Sequence, residues 1–457
     1  MHELSMVRPD SPRGRASALL RRFGIDRPEL RAWVLYDWAN SAMVTTIVTA
    51  VFPYYFASVA GAGLPTARTS QTWAMANTVA LVATALLAPV LGAVADYAPV
   101  KKRMLAAFMG LSIAAIAGMY FIERGDLALA AALFVLASIG ANGSYVFYDS
   151  LLPSITGKGE IDRVSSSGYA FGYLGGGALL ALQLAWIEWP ERFGLPGGSA
   201  TLPTRLAFVS VAVWWLLFSI PLFRHVREPT VRLEAGERSG ANPLWMGFRR
   251  LRGTFHELRR YRNAFLLLLA FMIYNDGIQT VIRMAVVYGA EVGISQRAMT
   301  GAILASGAVA VVGTLLFGLL APRVGAKRLI YAGLVAYVAA AVLGFRMRTA
   351  MDFLVLAVVV GAVQGGTQAL SRSLFAVMIP KHRSGEFFGF FGVFDKFAGV
   401  LGSLVMTLAA TITGSLRFGI LSVVAFFSIG ILLLARVDVE QGERTARLEE
   451  REVAPTA

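Results

Sequence analysis

Residues 92–103 read GAVADYAPVKKR, and residues 318–328 repeat the pattern as GLLAPRVGAKR. The first glycine of the stretch and the basic pair nine residues after it both recur at an offset of 226 residues. Each copy follows a long apolar run. Glycine permits close approach of helices at a tight turn, and a basic pair holds such a turn on the cytoplasmic side of a membrane. The repeat predicts two similar halves that each cross a membrane several times.

The composition excludes most soluble classes. Of the 457 residues, 56% are apolar and only 15% are charged, and the mean hydropathy is +0.62. A soluble chain carries about 25% charged residues, so too few charges remain here to cover several soluble cores. There is no cysteine, which excludes disulfides and thiolate metal sites, and the four histidines are widely separated. We expect no metal and no cofactor.

Twelve apolar runs are long enough to cross a bilayer as helices, which takes about 20 residues. They are too long and too uniformly apolar for barrel strands, which span about ten residues and alternate in polarity. The basic and polar residues 1–31 predict no cleavable signal peptide. The runs cover residues 34–60, 72–95, 104–122, 127–149, 166–187, 206–223, 264–289, 298–321, 329–346, 352–378, 387–411 and 416–435.

The placement of lysine and arginine predicts the topology. With the N-terminus inside, the inner segments hold 31 of the 42 basic residues and the outer loops hold eight. The remaining three, Arg283, Arg372 and Lys396, lie within the runs. This imbalance predicts that both termini are cytoplasmic. The net charge of +14 then indicates contact with an anionic cytoplasmic leaflet rather than with nucleic acid, and we expect the cytoplasmic (inner) membrane of a bacterium.

The longest polar stretch between runs divides the chain into six runs and six runs. Within this stretch, Asn242-Pro243 predicts the start of an amphipathic helix on the cytoplasmic leaflet, with a plain solvated linker as the alternative. The expected domains are a basic N-terminal segment, a first half, a basic amphipathic linker, a second half and a cytoplasmic tail, at residues 1–31, 32–223, 224–262, 263–436 and 437–457.

Four further stretches are more specific. They are YDWANS at 36–41, YNDGIQT at 274–280, QGGTQALSRSLF at 364–375 and EFFGFF at 386–391. With the repeated loop, they resemble the major facilitator superfamily, in the branch that holds the autophagy-related fungal vacuolar amino-acid effluxers and their bacterial relatives. The resemblance implies an all-α polytopic protein with twelve transmembrane helices in two six-helix halves. Pro322 replaces the aspartate of the second loop copy, and Asp149 stands where the branch has asparagine.

Polar residues form stripes at helical spacing on four runs. A charge at mid-bilayer costs about 2.5–3.5 kcal/mol, so such residues usually face a wet cavity or a partner. In the superfamily that the chain resembles, runs one, four, seven and ten line the central cavity, and the stripes fall on these runs. The members are Asp37, Asn40 and Ser41; Asn142, Tyr145 and Asp149; Asp276, Gln279, Thr280 and Arg283; and Gln364, Thr367, Gln368, Ser371 and Arg372.

Roles follow from charge. Among the intramembrane charges Asp276, Arg283, Arg372, Asp395 and Lys396, cations exceed acids by one, which favours a carboxylate-bearing substrate bound by Arg372 or Arg283. Asp276 is the predicted proton-coupling carboxylate. The predicted substrate and cavity residues are Asn40, Asn142, Tyr145, Tyr274, Asn275, Gln279, Arg283, Gln364, Gln368 and Arg372.

A second group is assigned to gating or structure. Arg372 has the alternative of extending to the interface. Asp395 and Lys396 are neighbours in sequence, so we expect them to point in different directions and to form a gate or an interhelical pair near the cytoplasm. The group comprises Asp37, Asp96, Lys101, Lys102, Arg103, Asp149, Asp395 and Lys396.

These features predict a secondary active transporter that exports a small polar solute, such as an amino acid, by alternating access with proton coupling. The alternatives are a broad-specificity drug or metabolite exporter and, in another class, a non-transporting membrane scaffold. The sequence has neither an HExxH motif nor a GxxxxGK[ST] loop, which argues against a membrane metalloprotease and an ATP-driven pump. The expected partners are a small-molecule substrate and the lipid bilayer, with no nucleic acid, and the expected state is monomeric.

Overall fold

The computed structural model describes residues 18–157, 159–195, 201–230 and 260–452, together with Trp245 and Arg249. Within these residues, twelve helices are long and apolar enough to cross a membrane, and no strand occurs. The predicted all-α class with twelve crossings is therefore confirmed. The predicted amphipathic helix that begins at Asn242-Pro243 lies outside the described residues.

The crossing helices, labelled α1 to α12, match the predicted apolar runs, and their ends differ from the run ends by at most six residues. Helices cross bilayers because all backbone hydrogen bonds are then satisfied within the segment. Their bounds are α1 Pro28–Ala60, α2 Thr66–Tyr97, α3 Lys101–Gly118, α4 Leu127–Ile155, α5 Ile161–Glu188, α6 Leu202–His225, α7 Arg262–Glu291, α8 Gln296–Val324, α9 Ala326–Phe345, α10 Ala350–Val377, α11 Ser384–Thr413 and α12 Leu416–Ala435.

Two crossings are irregular. Helix α1 is α-helical over Pro28–Ala42 and then turns π-helical over Met43–Ala50. Helix α11 is broken into α11a, Ser384–Phe397, and α11b, Val400–Thr413. At the break, Gly399 has φ of 85°, a conformation that disfavours residues with a Cβ. Irregular backbone inside a membrane is tolerated where protein or a water-lined space surrounds it. The break in α11 is therefore expected to face protein or water and not lipid.

The two halves meet toward the face on which α1 begins and α12 ends, called the basic face. Both repeat glycines lie at contacts between the halves. A Cβ on Gly92 of α2 would lie 2.0 Å from the carbonyl oxygen of Gly385 in α11a, and one on Gly318 of α8 would lie 2.6 Å from Cβ of Ser166 in α5. The two glycines of the repeat thus lie where helices of the two halves approach each other closely on this face.

A further helix, α13, covers Val439–Glu452 after the last crossing. The sequence indicated only a tail here. The buried Gly442 of α13 packs against Met378, which directly follows α10. Helix α13 therefore lies on the basic face, against the loop between α10 and α11.

Candidate functional site

Arg372 of α10 joins the two halves. Its Nη1 donates to Asp149 Oδ1 of α4 at 2.9 Å, and its Nη2 lies 3.5 Å from Asp37 Oδ2 of α1. The side chain of Arg372 is only 4% exposed, whereas that of Asp37 is 13% exposed and that of Asp149 is 17% exposed. One buried cation of the second half is thus held between two carboxylates of the first.

Backbone and aromatic groups complete the surroundings of this guanidinium. Nε donates to Ser165 Oγ and Nη2 to the Ser165 carbonyl, both at 3.0 Å. The rings of Tyr169 and Trp33 have centroids 4.5 and 4.9 Å from Cζ, which suits cation–π attraction. Ser165, Tyr169 and Trp33 lie outside the polar stripes predicted from the sequence, although Ser165 belongs to a run of serines near the start of α5. The guanidinium is satisfied internally, without a substrate.

The depth of this cluster follows from helix geometry. Arg372 lies five residues before the end of α10 at Val377, about 8 Å from the basic face at 1.5 Å per residue. The cluster therefore forms a floor near that face rather than a centre at mid-membrane. Asp37 and Asp149 therefore offset the positive charge of Arg372, which the sequence predicted to be in surplus.

A second charged group lies deeper in the membrane, at the end of α11a. Lys396 Nζ lies 3.0 Å from Asp395 Oδ2, and it lies 5.4 Å from the ring centroid of Tyr145 in the other half. The expectation that Asp395 and Lys396 point apart is wrong, because the long lysine side chain reaches back to its neighbour. Lys396 is 12 residues, or about 18 Å, beyond the start of α11a, so the pair is also not close to the basic face.

Two amides anchor this pair. Asn275 Nδ2 of α7 donates to Asp395 Oδ1 at 3.0 Å, and Gln368 Nε2 of α10 donates to Asn275 Oδ1 at 3.2 Å. Nearby, Tyr274 and Ser371 share a hydrogen bond of 2.5 Å between α7 and α10. The sequence predicted Tyr274, Asn275 and Gln368 as cavity residues, and the structure brings them together on these helices.

Asp276 has partners other than a cation. Its Oδ1 accepts hydrogen bonds from the backbone N–H groups of Gly399 and Gly402, both at 2.8 Å. These N–H groups belong to the start of α11b, where a helix has unsatisfied donors and a partial positive charge. The carboxylate is 2% exposed and stabilises the break in α11. Its contacts are thus separate from those of Arg372.

The other predicted cavity residues form two groups by their location in the fold. Gln279 and Arg283 of α7 lie beside Gly399, where an added Cβ would be 2.8 Å from Gln279 Cβ and 3.1 Å from Arg283 Cζ. Arg283 is exposed. The rest lie on α1, α4 and α10, where Asn40 is buried and Asn142 and Gln364 are half-buried.

The repeat loop forms a second contact between the halves at the basic face. Asp96 pairs with Lys101 at 2.7 Å and accepts from the N–H groups of Gly385 and Glu386 at 3.0 and 2.8 Å. Lys101 Nζ donates to Ser384 Oγ at 2.8 Å. The acid and the basic residue of the motif thus cap the first turn of α11a and hold it against α2.

Lys102 and Arg103, the other two basic residues of the first repeat loop, make no contact of this kind between the halves within the part of the chain that the structure describes. Lys102 Nζ donates to the carbonyls of Phe223 and Val226 at 2.9 and 2.6 Å, which ties α3 to the end of α6 within one half. Arg103 is exposed. Among the described residues, no group of three or more histidines or acids is arranged to hold a metal ion.

The sequence is similar to known transporters. A profile of the family described as "vacuole effluxer Atg22 like" matches residues 25–447. The MFS-type transporter YxiO of Bacillus subtilis is 34% identical over 417 residues, which cover 90% of this chain and 94% of YxiO. Autophagy-related protein 22 of Yarrowia lipolytica is 29% identical over 316 residues, which cover 62% of this chain and 51% of the fungal protein.

Solved structures share the fold at low sequence identity. The proton:xylose symporter XylE aligns with a TM-score of 0.67 and 13% identity, covering 95% of this chain and 99% of XylE. A bacterial homologue of the iron transporter ferroportin aligns with a TM-score of 0.66 and 16% identity, covering 90% of this chain and 99% of the homologue. XylE is a major facilitator superfamily protein, so this chain shares its fold with a member of that superfamily.

Proposed function

The chain belongs to the Atg22-like vacuole effluxer family and is a membrane transporter of the major facilitator type, and we propose that it moves a small polar, carboxylate-bearing solute by secondary active transport. The substrate class is an amino acid or a related metabolite. The direction is export, which is supported by the effluxer description of the family. Access alternates between the two faces as the halves rock against each other.

The observation that carries the proposal is the Arg372 cluster. Alternating access needs contacts that close one face and can be released. Separating the halves at the basic face would take Arg372 away from Asp37 and Asp149. Two half-buried acids would then lose their cation, which is costly unless a proton or water replaces it. Opening is thereby linked to uptake of a proton.

The proposed proton carrier is therefore Asp149 and not Asp276. Asp276 binds backbone N–H groups within its own half, so rocking of the halves leaves its surroundings unchanged. Asp149 bonds across the interface to Arg372, so its surroundings alternate between paired and unpaired. A carboxyl group binds a proton more readily when it loses a neighbouring cation. Asp149 therefore meets the requirement for coupling.

The proposed location is a bacterial cytoplasmic membrane with both termini in the cytoplasm. It rests on the excess of basic residues at the face that carries Lys101, Lys327 and Arg436. In this orientation the closed basic face is the cytoplasmic one. The proposed working unit is a monomer, because each chain contains both halves and the interface between them.

The test is transport by purified protein in liposomes with an imposed pH gradient, using radiolabelled amino acids and small organic acids. Wild-type protein should accumulate at least one of them, and accumulation should stop when the gradient is collapsed. The Asp149→Asn variant should lose gradient-driven accumulation at least tenfold while it keeps exchange of labelled for unlabelled solute.

The conservative Asp276→Asn variant separates coupling from folding, because it should lower accumulation and exchange together. Gradient-driven accumulation at the wild-type level in Asp149→Asn would overturn the proposed coupling. Transport of lipophilic cations with no transport of polar solutes would favour a drug exporter. Absence of any solute flux would favour a scaffold.

A further inference from the structure

We propose that the Asp395–Lys396 pair at the break of α11 is the subsite that binds the two charged ends of a zwitterion. The substrate carboxylate binds Lys396 and the substrate ammonium binds Asp395. This inference rests on the proposed function, because it assigns the substrate contact within the same path.

Exposure distinguishes this pair from the Arg372 cluster. The side chains of Lys396 and Asp395 are 31% and 29% exposed, whereas Arg372 is 4% exposed. Arg372 already donates to Asp149 and to Ser165 from all three guanidinium nitrogens. A substrate that bound Arg372 would break the closed floor, but one that bound Lys396 would not. Of these two cations, Lys396 is therefore the accessible one.

The acid of the pair is positioned before any substrate arrives. Asn275 holds Asp395 Oδ1, and Gln368 in turn holds Asn275. Asp395 Oδ2 remains directed at Lys396. An ammonium group is able to replace Lys396 at Oδ2 while the amide of Asn275 stays bound at Oδ1. Three helices, α7, α10 and α11a, thus present one carboxylate oxygen to the substrate.

Charge balance explains why the substrate is a zwitterion. Binding exchanges one internal ion pair for two pairs with the ligand, and no charge is left alone. A ligand with only a carboxylate would leave Asp395 unpaired, and one with only an amine would leave Lys396 unpaired. An unpaired charge away from bulk water is strongly disfavoured. The pair should therefore reject both single-charge analogues.

The position of the pair also links it to the other half. Lys396 lies over the ring of Tyr145 in α4, and Asp149 of the floor is one helical turn further along α4. A carboxylate that draws Lys396 toward itself changes this contact with Tyr145. Substrate binding at the break is thereby placed next to the residues that hold the basic face closed.

Binding is tested on purified full-length protein in detergent, by calorimetry and by ligand-dependent thermal stability. The probes are the neutral L-amino acids one at a time, their amides, which lack the carboxylate, and the corresponding acids, which lack the amine. Wild-type protein should bind at least one amino acid at least tenfold more tightly than its two analogues. Lys396→Gln should prefer the amide, and Asp395→Asn should prefer the amine-free acid.

The exposed Arg444–Glu440 pair of α13 supplies matched controls, since Arg444→Gln and Glu440→Gln should leave the preference unchanged. The double variant Asp395→Asn/Lys396→Gln has no unpaired charge and should bind all three probe types with at least tenfold weaker affinity than the wild-type protein binds its amino acid. Retention of the wild-type preference by both single variants would overturn the assignment. So would failure of every amino acid to bind the wild type; the liposome flux assay then decides separately whether the chain is a transporter.

Discussion

At the scale of single residues, Arg372 and Asp276 show two ways of keeping a charge inside a membrane protein. Arg372 is surrounded by two carboxylates, a serine and aromatic rings from the other half. Asp276 has backbone N–H groups at a helix start. The first arrangement depends on how the halves are docked, and the second is contained within one half. Only the first is suited to a conformational switch.

Arg372→Met should destabilise the protein by about 3–5 kcal/mol, because it leaves the half-buried Asp37 and Asp149 without a cation. Adding Asp37→Asn and Asp149→Asn to this variant should recover most of the loss, since the unpaired charges are then removed. The measurement is thermal unfolding in detergent, with stability read at a common temperature. A triple variant as unstable as Arg372→Met would contradict the role of the two acids.

At the scale of elements, the sequence missed two features for a shared reason. The break in α11 and the helix α13 both depend on partners far away in the chain. Gly399 adopts a positive φ where Asp276 of α7 binds the freed N–H groups. Helix α13 is stabilised by Glu449, a buried carboxylate that contacts Tyr261 and Arg383.

Glu449→Ala should lower stability by about 1.5–3 kcal/mol, which is typical for loss of hydrogen bonds to a charged group. The carboxylate is 7% exposed, and its Oε1 lies 3.5 Å from Arg383 Nη1 and 3.6 Å from His382 Nε2. Glu440→Ala on the same helix is the matched control, because Glu440 is 87% exposed, and it should change stability little. Thermal unfolding of the two variants in parallel checks the difference, and equal effects would contradict a docked α13.

At the scale of the whole molecule, hydrogen bonds join the halves at several points near the basic face. Ser165 Oγ donates to the carbonyl of Ala369, and Ser384 Oγ donates to the carbonyl of Ser150. Together with the Arg372 cluster, they hold the basic face closed. Transport by alternating access therefore requires all of these contacts to separate in one movement.

A covalent link across this face should stop transport. Ser373 Oγ of α10 donates to Asp162 Oδ1 of α5 at 2.5 Å, so Asp162→Cys/Ser373→Cys places two thiols close together across the halves. The chain has no native cysteine, so a disulfide within it has a single possible location. Oxidation should abolish flux in liposomes, and a reductant should restore it.

The single variants Asp162→Cys and Ser373→Cys serve as controls and should be insensitive to oxidant. Full flux by fully oxidised double variant would contradict closure of the basic face as a step of the transport cycle.

The twelve crossings and their arrangement in two halves follow from the amino-acid sequence alone. Apolar runs and basic loops act locally, through transfer from water to lipid, so they can be read without knowing any contact. The sequence also placed polar stripes on α1, α4, α7 and α10, because helical spacing depends on the sequence alone.

Which charged residues pair with one another depends on the tertiary structure. Arg372 is more than 200 residues from Asp149 and from Asp37, and only the docking angle of the halves brings them together. Asp276 reaches the start of α11b because the helix breaks between Phe397 and Val400, and that break is stabilised by α7.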